Sequence, residues 1–212
     1  MAISVETSAA IYRIYDRFTG DKHQVFAVVA GQCGEGATYS SIRIAEGAAE
    51  SLGSLSVLIV DMNTHDQKLS SYVGSPELGW GEWLATGKQY AINKAVRPWP
   101  DLPSLNVLPV GQGQNYKELA KLLTQWPEVL EELRQSYDLI LLDTSPFFRG
   151  EESRLLCKTA DDVLVVIEAE QTRRPMTHTM VDSLHSTGCS ILGAVFNKRQ
   201  FHIPRWAYDR FF

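Results

Sequence analysis

Short apolar runs alternate along this chain with longer stretches of helical periodicity. The runs are "QVFAVVA" (24–30), "SVLIVD" (56–61), "NVLPV" (106–110), "DLILLD" (138–143), "DVLVVIEA" (162–169) and "SILGAVFN" (190–197). Their near-continuous apolar character, without alternation, is that of strands buried on both faces of a parallel sheet. Between them, 115–136 places Leu119, Leu122, Leu123, Trp126, Val129, Leu130 and Leu133 at helical spacing. Right-handed crossovers joining such units predict an α/β fold: a doubly wound, mostly parallel open sheet with helices on both faces. The Pro-rich "VRPWPDLPSL" reads as a loop. Ahead of the first strand, Ile11, Ile14, Tyr15 and Phe18 form a helical stripe, open either to packing on the sheet edge or to an oligomer contact.

Composition narrows this picture. With 212 residues and 44% of them hydrophobic, one domain spanning 1–212 can bury its own core, with an N-terminal helix over 1–22 and a tail over 199–212. A net charge of -5 argues against a general nucleic-acid binder. Cys33, Cys157 and Cys189 form no disulfide framework and no zinc pattern, and no signal peptide or membrane-length apolar run is evident, so the expected location is cytoplasmic. The five histidines show no metal-binding spacing.

After the first strand, Gly31-Gln-Cys-Gly-Glu-Gly-Ala-Thr38 fits GxxxxGK(S/T) at every fixed position except the lysine, which is Ala37. The expected phosphate-binding residues are therefore Gly31, Gly34, Glu35, Gly36, Ala37, Thr38 and Tyr39. Glycines let backbone N–H groups curl round an anion, and the Thr38 hydroxyl suits Mg²⁺. What is missing is the ammonium that reaches the β- and γ-phosphates. Asp61 and Asp143 end two further strands, where open α/β sheets bind ligands. Cys33, within the loop, is a candidate for oxidation sensing.

With "GQCGEGATYS", "VLIVDMN", "LNVLPVGQGQNYKELA", "SYDLILLDTSPFF" and "GAVFNK", the chain resembles the cytoplasmic domain of bacterial tyrosine kinases of capsular and exopolysaccharide co-polymerase systems. Those kinases belong to the wider P-loop group of MinD and ParA. The resemblance implies an ATP or ADP site with Mg²⁺, a catalytic and metal-associated role for Asp61, magnesium binding by Thr38 and Asp143, and an adenine contact for Asn197. Four departures bear on function. Ala37 replaces the lysine, and Asn63 stands where a second aspartate is usual. The end of the chain carries a single tyrosine, Tyr208, and of the ring-forming helix pattern at Ala10, Arg13 and Asp16 only Arg13 is kept.

A substitute cation is not expected nearby: Arg43 lies too far along the helix, the MinD signature lysine falls at Gln32, and no lysine lies between Lys22 and Lys68. A partner could supply one in trans. The tail sets Lys198, Arg199, Arg205 and Arg210 against Asp209 and interleaves aromatic residues, which suits peripheral membrane contact, a groove on a partner, or an amphipathic end folded back onto the domain. The expected function is a catalytically impaired scaffold or regulator of exopolysaccharide synthesis and export. It would bind nucleotide weakly or not at all, work with a membrane polysaccharide co-polymerase or related export protein at the inner face of the membrane, and be open to homo-oligomerisation. Two alternatives stand beside it: an active ATPase or autokinase with a substitute cation, and a MinD- or ParA-like positioning ATPase.

Overall fold

The computed structural model describes residues 10–14, 16, 23–51, 55–74, 76–87, 91–112, 121 and 123–199. The chain runs β1 (Gln24–Ala30), α1 (Ala37–Ser51), β2 (Val57–Met62), α2 (Lys68–Ser71), α3 (Trp80–Ala85), β3 (Arg97–Trp99), β4 (Leu102–Leu108), α4 (Trp126–Arg134), β5 (Leu139–Thr144), α5 (Glu152–Thr159), β6 (Asp162–Glu168), α6 (Arg174–Ser186) and β7 (Ile191–Asn197). These strands form one seven-stranded sheet in the order β3-β4-β2-β5-β1-β6-β7. Every pairing is parallel except β3 with β4.

Each central strand feeds two cores. In β1, Val25, Ala27 and Val29 face one cluster and Phe26, Val28 and Ala30 the other. The first face is covered by α3 through α6, with Trp80, Trp83 and Trp126 among its largest fully buried side chains. The second is covered by α1 through Ile42, Ile44, Ala45 and Ala48. Small residues on α1 bring its backbone close to the sheet, which aims its first turn at the end of β1. Because β1 pairs with β5 on one side and β6 on the other, the sheet reverses its winding there, which is where doubly wound folds bind ligands.

Six strands lie where the apolar runs predict them. The Pro-rich segment is not a loop: it holds β3 and the start of β4, joined by a turn with Asp101 in the left-handed region at φ 61. Pro98 misleads because proline cannot serve a central strand, yet it is tolerated at the antiparallel edge, where the pairing shifts register beside it. The helix expected over 115–136 is, in its described part, helical Lys121, a 3-10 turn at Leu123–Gln125 and then α4 with Pro127 in its first turn. Leu119 and Leu122 lie outside the described residues.

The N-terminal stripe packs inward. Ala10 and Ile14 join the α1-side core, and Arg13 Nη1 donates to Leu192 O at 3.0 Å, tying this helical segment to β7. Tyr15, Phe18 and the tail beyond residue 199 lie outside the described residues.

Candidate functional site

Between β1 and α1 the chain folds into a loop whose form depends on two glycines, Gly34 at φ 88 and Gly36 at φ 94. A side chain is strained at such φ values, and a Cβ on Gly36 would sit 1.9 Å from Asn197 Nδ2. The loop is clasped by the end of β7. Asn197 Nδ2 donates to Glu35 O at 2.8 Å, and Lys198 Nζ donates to Gly34 O at 2.7 Å while pairing with Glu168 at 3.0 Å. Glu35, buried, completes the clasp: its carboxylate accepts from Gln32 N at 2.9 Å and from Thr172 Oγ1 at 2.7 Å. Glu35 therefore shapes the cradle from within, and the amide of Asn197 is spent on the loop.

Gly36→Ala should expel the Asn197 amide and strain the backbone at once. The expected cost is about 2 kcal/mol, or a melting temperature about 5 °C lower. Thermal denaturation of the unligated chain measures it, and a melting point equal to wild type would show that Asn197 does not hold the loop.

Over the loop lies a cavity of ≈ 220 Å³ lined by Gly34, Gly36, Ala37, Thr38 and Tyr39 of the loop and the start of α1, and by Asn63, Asp66, Lys68 and Tyr72 from the segment after β2. Gly31 faces an adjoining groove, its carbonyl accepting from Phe148 N at 3.2 Å. Behind the cavity the strand-end aspartates stand side by side, Asp61 of β2 in register with Asp143 of β5, both fully buried.

The two carboxylates differ in what surrounds them. Asp61 Oδ2 accepts from Ser70 N at 2.9 Å and Ser70 Oγ at 2.7 Å, and Oδ1 accepts from Asn63 N at 3.2 Å. Burial nevertheless pushes its pKa up to about 6. Asp143 Oδ1 accepts from Ser41 Oγ at 3.1 Å, while Oδ2 is buried and accepts no hydrogen bond. Burial, with the Asp61 charge added, pushes Asp143 up to about 8 against the opposing pull of the Thr38 and Ser41 hydroxyls.

These surroundings test the expected magnesium ligands. A buried carboxylate oxygen without a donor, beside a threonine hydroxyl at a phosphate loop, fits a hard cation that keeps most of its shell for water and phosphate. Asp143 and Thr38 would hold it. Asp61 already accepts from three protein donors, which leaves one lone pair, on Oδ1, for a metal or its water. Asn63 is a turn former here: its Oδ1 accepts from His65 N, Asp66 N and Ser145 Oγ at 3.2 to 3.3 Å. Among the described residues no three His, Cys, Asp or Glu side chains converge as a protein-only metal site would.

Arg43 pairs with Glu46, as its distance along α1 from the loop predicts. Lys68 breaks the expectation that no lysine of this chain is near. It lies at the start of α2 and lines the same cavity as Ala37. Ser41, one helical turn beyond Thr38, was within reach of periodicity; Ser70 and Lys68 come from a separate element, with no local signal to mark them.

The family model described as "Cellulose biosynthesis protein BcsQ" matches residues 25–187. Among curated proteins, tyrosine-protein kinase CpsD of Streptococcus pneumoniae is 24% identical over 200 residues, covering 92% of this chain and 85% of that protein. Putative tyrosine-protein kinase EpsB of Ralstonia nicotianae is 26% identical over 178 residues, 82% of this chain but 23% of the longer relative. In three dimensions the VpsO kinase domain aligns with a TM-score of 0.80 at 26% identity, over 92% of this chain and 94% of that domain. The septum site-determining protein MinD of Pyrococcus horikoshii, solved with Mg-ADP, shares the fold with a TM-score of 0.64 at 22% identity over 89% of this chain and 76% of that one. The resemblance to bacterial tyrosine kinases and to MinD read from the motifs thus extends to the whole fold.

Proposed function

Since this chain belongs to the family of the cellulose biosynthesis protein BcsQ, we propose that it serves bacterial polysaccharide synthesis as a regulator that binds Mg-nucleotide weakly and transfers phosphoryl groups poorly. The observation that carries this reading is the mismatch within one pocket. A formed anion cradle and an unpartnered Asp143 oxygen meet at a loop whose cation position is a methyl group, Ala37. The backbone N–H groups of the cradle favour a bound anion whatever its state. A lysine in the loop would add most where charge develops during transfer, and one such donor is worth roughly 100- to 1000-fold in rate. Removing it therefore lowers turnover more than occupancy. Asp61, the expected base, is already engaged by Ser70 and Asn63.

In this reading an occupied pocket is a structural signal passed to a membrane polysaccharide co-polymerase or export protein, with the chain held at the inner face of the membrane by that partner. The basic, aromatic tail over 199–212 is the proposed point of attachment, and its deletion should release the chain in a pull-down. Among the described residues no helix is long and apolar enough to cross a membrane.

Calorimetric titration with Mg-ADP and Mg-ATP, run beside a phosphate-release assay, tests the central claim. Binding without steady turnover is the expected outcome. Silence to millimolar nucleotide, or turnover abolished by Asp143→Ala, would overturn it, and the latter would establish the working ATPase or autokinase instead.

A further inference from the structure

We infer that Lys68 supplies the phosphate-directed cation that Ala37 leaves missing, entering the pocket from the segment after β2. This deepens the proposed nucleotide site and rests on it. Three cations among the described residues lie beside the loop, and their placements differ. Lys198 Nζ is held by Gly34 O and Glu168, so its charge serves a loop carbonyl, the side of the backbone turned from any anion. Arg149 Nη1 donates to Cys33 Sγ at 3.1 Å and lines the adjoining groove with Gly31 and Phe148. Lys68 alone lines the same cavity as Ala37 and Thr38.

The topology explains how a residue so far along the chain arrives there. In the sheet, β2 is separated from β1 by β5, so α2, which follows β2, faces the loop across the end of β5, where Asp143 sits. The Lys68 ammonium has one partner shown, Asp66 at 3.1 Å, and the side chain is 62% exposed. An exposed ion pair of this kind is weak and exchanges readily for a better anion. A di- or triphosphate, carrying more charge than one carboxylate, is that anion.

Position also sets what Lys68 can do. A lysine in the loop is carried by the same backbone that grips the phosphate; Lys68 reaches in on a long, flexible stem from another element. It can neutralise bound charge, but it is not preorganised to follow charge as it moves during transfer. Lys68 therefore accounts for binding without restoring catalysis.

The test is calorimetry on the full chain with Mg-ATP and with AMP. Lys68→Ala is expected to weaken Mg-ATP roughly 10- to 100-fold, the effect of losing one charge-assisted hydrogen bond, and to weaken AMP far less. Lys68→Arg should keep most of the affinity, and Ala37→Lys added to Lys68→Ala should restore it. The unligated melting temperature should not move, since the side chain is exposed. Mg-ATP affinity unchanged by Lys68→Ala, or equal losses for ATP and AMP, overturns the role of Lys68 alone. Failure of the wild type to bind Mg-ATP overturns the nucleotide site itself and Lys68 with it.

Discussion

Asp143→Asn should gain about 10 °C on the wild type between pH 5 and pH 8, in the unligated protein. The sign follows from burial. An aspartate in the unfolded chain ionises near its ordinary value of 3.8, whereas in the folded chain Asp143 holds its proton until about 8. Through that window the folded state binds more protons, so its stability falls as pH rises. The steepest possible slope is about 1.4 kcal/mol per pH unit. From pH 5 to pH 8 this amounts to about 4 kcal/mol, and for a chain of this size each kcal/mol moves the melting point by about 2 to 4 °C. Asparagine keeps an acceptor for Ser41 and carries no charge, so it removes the slope.

Asp61, pushed up to about 6 by burial, also loses stability as pH rises and is relieved when the Asp143 charge is removed, so the gain belongs to the pair. Burial holds His65 below its ordinary value, which makes stability rise with pH and opposes Asp143, while Glu82, pushed up to about 7 by burial, adds to it. Neither is altered by the substitution, so both cancel in the comparison. Magnesium should narrow the gap at pH 8 by holding Asp143 in its ionised form. A variant that gains nothing on the wild type between pH 5 and pH 8 would mean that Asp143 is ionised and paired.

Ala37→Lys should raise Mg-ADP affinity roughly 10- to 100-fold, measured by calorimetry, because the rest of the cradle is already formed. Gly34 and Gly36 hold their left-handed turns, Asn197 and Lys198 fix the loop from outside, and Ala37 opens α1 with its side chain at the cavity wall. The added ammonium would face two buried carboxylates, so the same substitution should also flatten the pH dependence of the unligated protein. An affinity equal to wild type would mean that the loop no longer presents its N–H groups to an anion.

How much of this was legible in the sequence depended on whether the physics was local. Runs such as "DLILLD" announce themselves because a strand buried on both faces admits little but apolar residues. β3 did not, because Pro98 speaks against a strand until one knows that it lies at an edge. α4 begins at Trp126 because Pro127 is at home in a first helical turn, a stop that periodicity alone passes over. The site divided in the same way. The loop, Asp61 and Asp143 could be read from position at strand ends, and their pairing follows from the sheet. That Glu35 is bound to Thr172, that Ser70 donates twice to Asp61, and that Lys68 lines the same cavity as Ala37 depend on elements brought together only by the fold.

The clasp on the loop has a further implication. Asn197 ends β7, the last strand of the sheet, Lys198 follows it directly, and both hold carbonyl oxygens of the loop. The free energy that ties them to Glu35 and Gly34 is shared between the two segments. Any molecule that grips the chain just after β7 and shifts either residue must change how strongly the loop retains an anion. By thermodynamic reciprocity an anion in the loop must change the grip of that molecule by the same factor. The fold thus has, in two side chains, a direct linkage between its pocket and the last strand of its sheet, and reading it requires only that one affinity be measured with and without the other ligand.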